Sequence, residues 1–489
     1  MAEIPTNPML MGQNSSKGKQ MKTNVILKTK QENCVVLSSD KDLQALLISH
    51  DIAIPTPVRP WTVRDIELLN TPLGQSFEAD LLTSPEIIPD FKILTLQQRV
   101  FKALFQYFDP ILAEDKVHVA SNPTYKKAWS LYEQLEETLY PWLHLHWKNA
   151  FQINKRTSGK GIVICIGNSQ FQHAATTIRA IREVLKSDLP IEVFYIRDDD
   201  LSPQKREYLE TEFKNLTTKQ IDHIIDDWYT RFTGWSLKPY AILASSFTEV
   251  LLMDADVYFF KKPDMLFDDA GYKHTGSLFF YDRTLFPNWE NGRLWLQSFL
   301  PTKSSLVKKT RWWKLTSAHE QESGVVLINK QKSLLGLLAA CKMNDKRERE
   351  QVSYKHAHGD KETFWIGYEM VQTPYAFIRS FGAVIGGLGD AGDPSTVCGN
   401  QLHLDVDQEP LWWNGGLLRD KNRWPTRYLT FTHYATGEDW EFKSSCIKET
   451  DGIRELNTNE KRLASEYLEL DRQRRVDEEL IDQNKWKAA

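Results

Sequence analysis

An unbroken apolar run at residues 162–166, IVICI, restricts the possible folds of this chain more than any other feature. The run has the length of a strand, is rich in β-branched residues and ends at Gly167-Asn168. A stretch with helical periodicity, FQHAATTIRAIREVLKS, follows it, and a second apolar strand is expected at PIEVFYI. Apolar strands joined through a helix are typical of a parallel sheet that helices cover on both faces. The sequence therefore predicts a Rossmann-like, doubly wound α/β domain.

The predicted α/β domain occupies residues 158–450 of the 489-residue chain. Within it the alternation continues through helices near 202–213 and at LKPYAILASSF, the strands EVLLM and SGVVLINK, and a helix that opens at GDKETFW. Around this domain we expect a poorly structured head over 1–59, a helical subdomain over 60–157 and a charged C-terminal helix over 451–489. The helical subdomain is predicted because apolar residues recur three and four apart, as in TYKKAWSLYEQLEETLYPW.

Composition narrows the class of protein. Hydrophobic residues make up 41% and charged residues 26%, as in soluble globular proteins, and the net charge of −4 gives no reason to expect nucleic acid as a partner. None of the five cysteines lies in a C-x-x-C pair, which argues against a structural zinc site. Their spacing allows one or two disulfides, with Cys398 and Cys446 as the preferred pair.

Two aspartates, Asp254 and Asp256, follow the apolar strand EVLLM directly. Residues i and i+2 of an extended segment point to the same face, so both carboxylates could bind one divalent cation. Ligands of α/β sheets bind at the carboxyl ends of parallel strands, where this pair is expected to lie. The alternative is that the aspartates cap the following turn or pair with Lys261 and Lys262.

A second enzyme class also places D-x-D-x-[TV] after an apolar strand: the haloacid-dehalogenase-type phosphatases. DADV fits that pattern, and the aspartates 390 and 393 in IGGLGDAGD faintly resemble a later acidic motif of the class. Against this alternative, the motif normally lies on the first strand of its domain, whereas a strand–helix–strand unit precedes it here. A non-catalytic relative that binds nucleotide sugar or glycan is a third possibility.

Five segments of the chain together resemble the fungal Golgi α-mannosyltransferases of the α-1,3 type. They are, in order, GKGIVICIGNSQ, LKPYAILASSFTEVLLMDADV, QESGVVLINK, GDKETFW and GNQLHLDVDQEPLWWNGG, and the resemblance covers about residues 160–440. It implies a GT-A glycosyltransferase fold, GDP-mannose as donor, a mannose-containing glycan or glycoprotein as acceptor, Mn²⁺ or Mg²⁺ as cofactor, and retained anomeric configuration. An α-1,2 linkage or transfer of another hexose remains the alternative within this fold.

The same resemblance assigns roles to individual residues. It implies that Asp254, Asp256 and His403 bind the metal, with His433 as the second choice of histidine. The implied catalytic residues are Asp360, Lys361 and Glu362, although Asp360 could simply cap its helix and Glu362 could favour the helix dipole. The implied substrate-binding residues are Gly167, Asn168, Lys238, Glu322, Ser323, Trp412, Trp413 and Asn414, of which Trp413 could equally belong to the core.

The family also implies a membrane-associated Golgi protein. No segment of this chain approaches the roughly 18–20 consecutive apolar residues of a membrane span. The first thirty residues are polar and basic and have no apolar signal-peptide core. Membrane association is therefore expected from the family resemblance only. The resemblance implies the Golgi as the location, and the cytosol is the alternative.

Overall fold

The computed structural model describes residues 40–83, 88–113, 119–390, 392–421, 426–438, 440–441, 445–447, 452–483 and 485–486. Residues 1–39, most of the predicted head, lie outside these ranges. The strands within them are β1 (His50–Ala53), β2 (Lys160–Cys165), β3 (Ile191–Tyr195), β4 (Leu216–Gln220), β5 (Glu249–Met253), β6 (Tyr258–Phe259), β7 (Ser277–Tyr281), β8 (Gln321–Asn329), β9 (Tyr375–Ile378), β10 (Ala383–Leu388), β11 (Val397–Leu404), β12 (Pro410–Asn414), β13 (His433–Ala435), β14 (Trp440–Glu441), β15 (Cys446–Ile447) and β16 (Ile453–Glu455).

The helices within the described residues cover both faces of the main sheet. They are α1 (Asp40–Ser49), α2 (Val63–Leu68), α3 (Pro72–Leu82), α4 (Phe91–Ala113), α5 (Lys126–Leu139), α6 (Phe151–Lys155), α7 (Phe171–Arg179), α8 (Pro203–Glu212), α9 (Asp227–Thr230), α10 (Leu237–Ala244), α11 (Ala270–Thr275), α12 (Glu290–Phe299), α13 (Arg311–Lys314), α14 (Lys330–Met343), α15 (Lys346–Glu348), α16 (Tyr354–His356), α17 (Lys361–Met370) and α18 (Thr458–Asp482). Short 3-10 segments at Gly234–Ser236 and Pro263–Asp268 flank the central strand β5 in sequence.

The main sheet has the strand order β1-β9-β7-β8-β5-β2-β3-β4. Strands β4, β3, β2 and β5 are parallel neighbours, and β8 then runs antiparallel to both β5 and β7. The predicted strand–helix–strand unit is therefore present as β2, α7 and β3. Edge strand β1 was not predicted: the sequence HDIA is short and half polar, and its pairing partner β9 lies more than 300 residues further along the chain.

Alternate residues of β2 and β5 enter two hydrophobic clusters on opposite faces of the sheet. Val163 and Leu252 pack with α10, α14 and α17, whereas Ile164 and Met253 pack with α7 and α8. Helices α2–α6, predicted as the helical subdomain, contribute to the first cluster, where the rings of Trp142 and Tyr240 lie 5.0 Å apart. Both faces of the parallel strands are thus buried, and the predicted α/β fold class is confirmed.

A second sheet has the order β14-β15-β11-β10-β13-β16, and β12 pairs with both β11 and β6. Because β6 begins two residues after Asp256, this sheet is connected directly to the end of β5. A disulfide joins Cys398 of β11 to Cys446 of β15, so the preferred cysteine pair is confirmed. Among the described residues Cys165 and Cys341 are free thiols.

The charged helix α18 is partly buried. Tyr467 is fully buried and donates a hydrogen bond to the carbonyl of Phe259, 2.6 Å away. Asp471 accepts a hydrogen bond from Thr176 of α7, 3.0 Å away. Across the described part of the chain, no helix combines the length and the apolar character that a membrane span requires.

Candidate active site

The central strand β5 delivers both predicted metal-binding aspartates to its carboxyl end. The amide of Asp254 donates to the carbonyl of Gly324 on β8, and the carbonyl of Asp256 accepts from the amide of Gly416. The side chains of Asp254 and Asp256 are 24% and 10% exposed, so Asp254 is partly open to solvent and Asp256 is largely buried. Their backbone is therefore held by β8 of the main sheet and by the turn that follows β12 of the second sheet.

Each of these carboxylates has a lysine partner. Lys238 Nζ lies 2.6 Å from Asp254 Oδ1, and Lys421 Nζ lies 2.6 Å from Asp256 Oδ2. The alternative partners considered from the sequence bind elsewhere, because Lys261 pairs with Asp405 and Lys262 pairs with Asp264. Sequence reasoning missed Lys421, and one lysine in a late charged loop carries no signal that could have revealed it.

Lys238 connects Asp254 to strand β8. Its ammonium group also donates to Ser323, 3.2 Å from the carbonyl oxygen and 3.3 Å from Oγ. Burial alone would lower the pKa of Lys238, but the nearby carboxylates Asp254 and Asp360 raise it above its ordinary value. A permanent positive charge is therefore buried behind the partly exposed aspartate.

Two carboxyl groups beside Lys238 have raised pKa values. Burial raises the pKa of Asp360, just before α17, to about 6, although Lys238 opposes the shift. Burial likewise raises the pKa of Glu322 to about 7, and the charge of Asp282 adds to the effect. Raised carboxyl pKa values at a strand end are typical of sites that bind or transfer protons near neutral pH.

Hydrogen bonds orient these two carboxyl groups differently. Glu322 Oε1 accepts from the amide of Gly324, 2.8 Å away, and from Asn414 Nδ2, 2.9 Å away. Asp360 makes no side-chain capping hydrogen bond to α17, and its Oδ2 atom has no partner among the described residues. The structure thus brings together six predicted site residues: Lys238, Asp254, Glu322, Ser323, Asp360 and Asn414.

Lys361 is linked to this group by Asp282, an aspartate that was not predicted from the sequence. Its ammonium group forms an ion pair with Asp282, which is fully buried after β7 and accepts a further hydrogen bond from Gln401, 3.0 Å away. Although burial opposes ionisation, Lys361 and His319 hold the pKa of Asp282 well below its ordinary value. The signal was available, since SLFFYD, like EVLLMD, is an apolar strand that ends in aspartate.

Glu362 lies in the interior, where it joins α17 to β8. Its oxygens accept from the amide of Glu320 at 2.8 Å and from Trp365 Nε1 at 2.5 Å, and the side chain is fully buried. Burial raises its pKa to about 8. Through these contacts Glu362 connects α17 to the start of β8. Its catalytic role stays a prediction.

The raised pKa of Glu362 predicts a pH-dependent stability. A carboxyl whose folded pKa exceeds its unfolded value stabilises the fold fully below the unfolded pKa of 4.5, and this contribution is lost as the pH rises through about 8. Between these values we expect Glu362 to lower the free energy of unfolding by up to about 1.4 kcal/mol per pH unit. Urea denaturation of the wild type and Glu362→Gln between pH 5 and 8.5 tests this. Parallel pH profiles for the two proteins would contradict it.

His403, predicted as the third metal ligand, is enclosed by aromatic rings. Its ring lies 3.9 Å from that of Trp412 and 5.7 Å from that of Phe280, measured between centroids. Burial lowers its pKa to about 3, so the imidazole is neutral, and neither ring nitrogen has a partner in the described ranges. His433, the second choice, lies on β13 with Nδ1 3.0 Å from Thr432 Oγ1.

The two tryptophans predicted to border the acceptor are both fully buried. Trp412 packs on His403 and Phe280, while Trp413 stacks on Tyr258 and donates from Nε1 to the carbonyl of Gly416 at 2.9 Å. Trp413 is therefore surrounded as a core residue would be, which is the alternative that the sequence analysis gave for it. An acceptor role for either indole stays a prediction.

Gly167 and Asn168, predicted to bind the nucleotide, pack against the loop that follows β3. A Cβ atom on Gly167 would lie 2.3 Å from Asp200 Oδ1, so only glycine allows this approach. Asn168 donates from Nδ2 to the carbonyl of Asp199 and accepts from the amide of Ser202. Both residues lie at the carboxyl end of β2, beside β5 in the sheet, where a ligand of an α/β fold binds.

The donor chemistry of Asp254 and Asp256 fits a divalent cation. Carboxylate oxygens at a partly exposed strand end suit Mn²⁺ or Mg²⁺, which accept oxygen ligands and retain waters. In the part of the chain that the structure describes, no group of three or more His, Cys, Asp or Glu side chains is preassembled for a metal ion. Binding of a cation by both aspartates would require Lys421, 45% exposed, to move from Asp256, while Lys238 also lies 2.6 Å from Asp254 Oδ1.

The α/β fold predicted for this chain thus carries a charged group at the carboxyl end of its central strand. A family model described as "Mannosyltransferase putative" matches residues 159–405, and the chain belongs to this family. The predicted mannosyltransferase resemblance is thereby confirmed.

Relatives with named activities come from yeast. The chain is 26% identical over 323 residues to alpha-1,3-mannosyltransferase MNT2 of Saccharomyces cerevisiae, covering 58% of this chain and 56% of the relative. It is 26% identical over 308 residues to alpha-1,3-mannosyltransferase MNT3 of the same yeast, covering 54% and 47%. The chain spans about half the length of the curated relatives it matches.

Among solved structures, the mannosyltransferase Ktr4p of S. cerevisiae in complex with GDP is similar at 10% identity, with 64% of this chain and 86% of that chain covered. The TM-score of this match is 0.30.

Proposed function

We propose that this protein is a metal-dependent retaining glycosyltransferase that moves mannose from GDP-mannose to a mannose hydroxyl of a glycan or glycoprotein, forming an α-1,3 linkage. One observation carries the proposal: in a chain of the mannosyltransferase family, Asp254, Lys238, Asp360 and Glu322 form one charged group at the end of the central strand. The names of the relatives support mannose and the α-1,3 linkage.

Charge on the leaving diphosphate is the main obstacle to the reaction. Asp254 and Asp256 would hold a divalent cation, which supplies electrostatic stabilisation to the leaving phosphate oxygens. Lys238 adds a fixed positive charge behind Asp254, in a buried position where such a charge acts strongly. The protein's own contribution is therefore to assemble positive charge where negative charge develops.

Retention of configuration follows from attack on the face that the diphosphate leaves. In this step the bond from the sugar C1 to the β-phosphate oxygen breaks, the bond from C1 to the acceptor oxygen forms, and the acceptor proton passes to the departing phosphate oxygen. Asp360 Oδ2, which has no described partner, would face the sugar, and Asn414 would hold Glu322 toward a sugar hydroxyl. A covalent intermediate on Asp360 is the alternative route.

The deciding experiment is incubation of the protein with GDP-mannose, Mn²⁺ and an α-mannoside acceptor, followed by determination of the linkage by NMR. An α-1,3-mannosyl product supports the proposal, and an α-1,2 product or use of another sugar nucleotide supports the alternatives within this fold. Magnesium-dependent hydrolysis of an aryl phosphate without use of GDP-mannose would contradict it in favour of the phosphatase class. Binding of GDP without turnover on any acceptor would identify a non-catalytic relative.

We also propose that the protein works in the Golgi, where its family acts. The disulfide between Cys398 and Cys446 supports an oxidising compartment, because such bonds are rare in the cytosol. Immunofluorescence of the tagged protein with Golgi and cytosolic markers tests this location.

Metal affinity should be limited by Lys421. Its ammonium group occupies Asp256 Oδ2 and lowers the pKa of that carboxyl although burial opposes ionisation, so it competes with a cation for the same oxygen. We expect Lys421→Ala to tighten Mn²⁺ binding a few-fold, in line with about 1 kcal/mol for a partly exposed ion pair. Titration followed by Mn²⁺ electron paramagnetic resonance without nucleotide measures this affinity. Lys262→Ala is the matched control, and equal or weaker binding by Lys421→Ala would contradict the expectation.

A further inference from the structure

Four aromatic rings form a row beside the charged group, which we call the aromatic row: Trp235, His358, His319 and Phe286. Successive ring centroids are 5.3 Å, 5.7 Å and 5.5 Å apart. Trp235 and Phe286, at the two ends, are 53% and 47% exposed, His358 is exposed, and His319 is buried. The row therefore has apolar rings at its two exposed ends and two adjacent imidazoles between them, of which only that of His358 is exposed.

The exposure of Trp235 has no explanation in the packing of the fold. Most indoles described in this chain are buried, and the other strongly exposed one, Trp228, has the guanidinium of Arg231 4.6 Å from its ring. Trp235 instead rests on Gly359, where an added Cβ atom would lie 2.7 Å from Trp235 Cε3. One side of the indole thus lies on the backbone, its ring is 5.3 Å from that of His358, and 53% of the residue is open to solvent.

The aromatic row is joined to the proposed active site at three points. Gly359, under Trp235, directly precedes Asp360, and Trp235 lies three residues before Lys238. At the middle of the row, His319 Nδ1 is 3.5 Å from Asp282 Oδ2, the carboxylate that holds Lys361. A molecule resting on Trp235 would therefore lie beside Gly359, which directly precedes Asp360.

We propose that the aromatic row is the acceptor subsite, on which the pyranose ring of an α-mannoside stacks against the exposed side of Trp235. This inference rests on the proposed mannosyl transfer. The C–H groups of a pyranose carry partial positive charge and complement the negative face of an indole, while its hydroxyl groups find hydrogen-bond partners in imidazole and ammonium groups. The exposed imidazole of His358 beside Trp235 favours a sugar over an apolar protein segment, which would leave that polar group unpaired.

Three variants separate this role from a structural one. Trp235→Ala removes the platform, Trp235→Phe retains an aromatic face, and Trp486→Ala is the matched control. Trp486 packs on Tyr208, 5.2 Å between centroids, in the cluster on the opposite face of the main sheet from α10 and α17. Each full-length variant is assayed for the KM of the acceptor and of GDP-mannose, and saturation-transfer NMR with methyl α-D-mannopyranoside records binding without turnover.

We expect Trp235→Ala to raise the acceptor KM about ten-fold and to weaken the NMR signal correspondingly, as loss of one stacking contact predicts. The KM of GDP-mannose should change less than about two-fold, Trp235→Phe should recover most of the acceptor affinity, and Trp486→Ala should behave as the wild type. An unchanged acceptor KM and NMR signal in Trp235→Ala, an equal rise in both KM values, or no sugar signal with the wild type would each overturn the inference. Absence of any transfer by the wild type would instead defeat the proposed function, and the NMR titration would still decide whether the row binds sugar.

Discussion

Asp254→Asn should lower mannosyl transfer about a thousand-fold while leaving the protein folded, because the change removes one of two cation-binding charges at the leaving diphosphate. Asparagine has the shape of aspartate and keeps an oxygen that can accept from Lys238, 2.6 Å from the carboxylate in the native protein. The loss should therefore appear in kcat with GDP-mannose and Mn²⁺, and in Mn²⁺ binding, more than in the melting temperature.

Asp268→Asn is the matched control for this variant. Asp268 also pairs with a lysine, Lys273 at 2.8 Å, but its side chain is 76% exposed and lies away from the end of β5. We expect wild-type kcat and Mn²⁺ affinity from this control. Wild-type turnover by Asp254→Asn would remove the basis of the proposed metal-dependent mechanism.

Asp282→Ala should destabilise the protein by about 3–5 kcal/mol, since it leaves the ammonium group of Lys361 without its carboxylate in a buried position. Gln401 and His319 would lose the same acceptor, 3.0 Å and 3.5 Å away in the native protein. Urea denaturation at pH 7 measures this change. Mannosyl transfer should fall as well. The charge of Lys361, no longer balanced by Asp282, would interact more strongly with the carboxyl group of Glu322.

A double variant distinguishes this ion pair from general disruption of the core. If the cost of Asp282→Ala comes from the stranded charge, removal of that charge in Asp282→Ala/Lys361→Met should recover a large part of the lost stability. Additive losses in the double variant would show that Asp282 stabilises the fold through its other contacts.

Features set by local pattern were predictable from the sequence. The unit β2–α7–β3 was identified because apolar strands and an amphipathic helix each carry their own periodicity. Asp254 and Asp256 were placed correctly at a strand end because they follow EVLLM directly. The disulfide between Cys398 and Cys446 was also the preferred choice, although spacing alone left other pairings open.

Features set by distant partners were not predictable. Edge strand β1 gains its identity from pairing with β9, and Lys421 reaches Asp256 across 165 residues of sequence. The aromatic row is a comparable case, since Trp235, Phe286 and His358 come from three separate segments and none has a local pattern that marks it. Such juxtapositions depend on how the loops fold over the sheet. No short stretch of the sequence carries that information.

The disulfide between Cys398 and Cys446 has a practical consequence for the preparation of this protein. It fastens the two-residue strand β15 to β11, and β11 in turn supports β12, whose far end carries Asn414. A host that keeps thiols reduced would yield a protein in which this support of Asn414 is missing. Secretory expression in yeast, rather than bacterial cytoplasm, is accordingly the route by which specific activity should be highest.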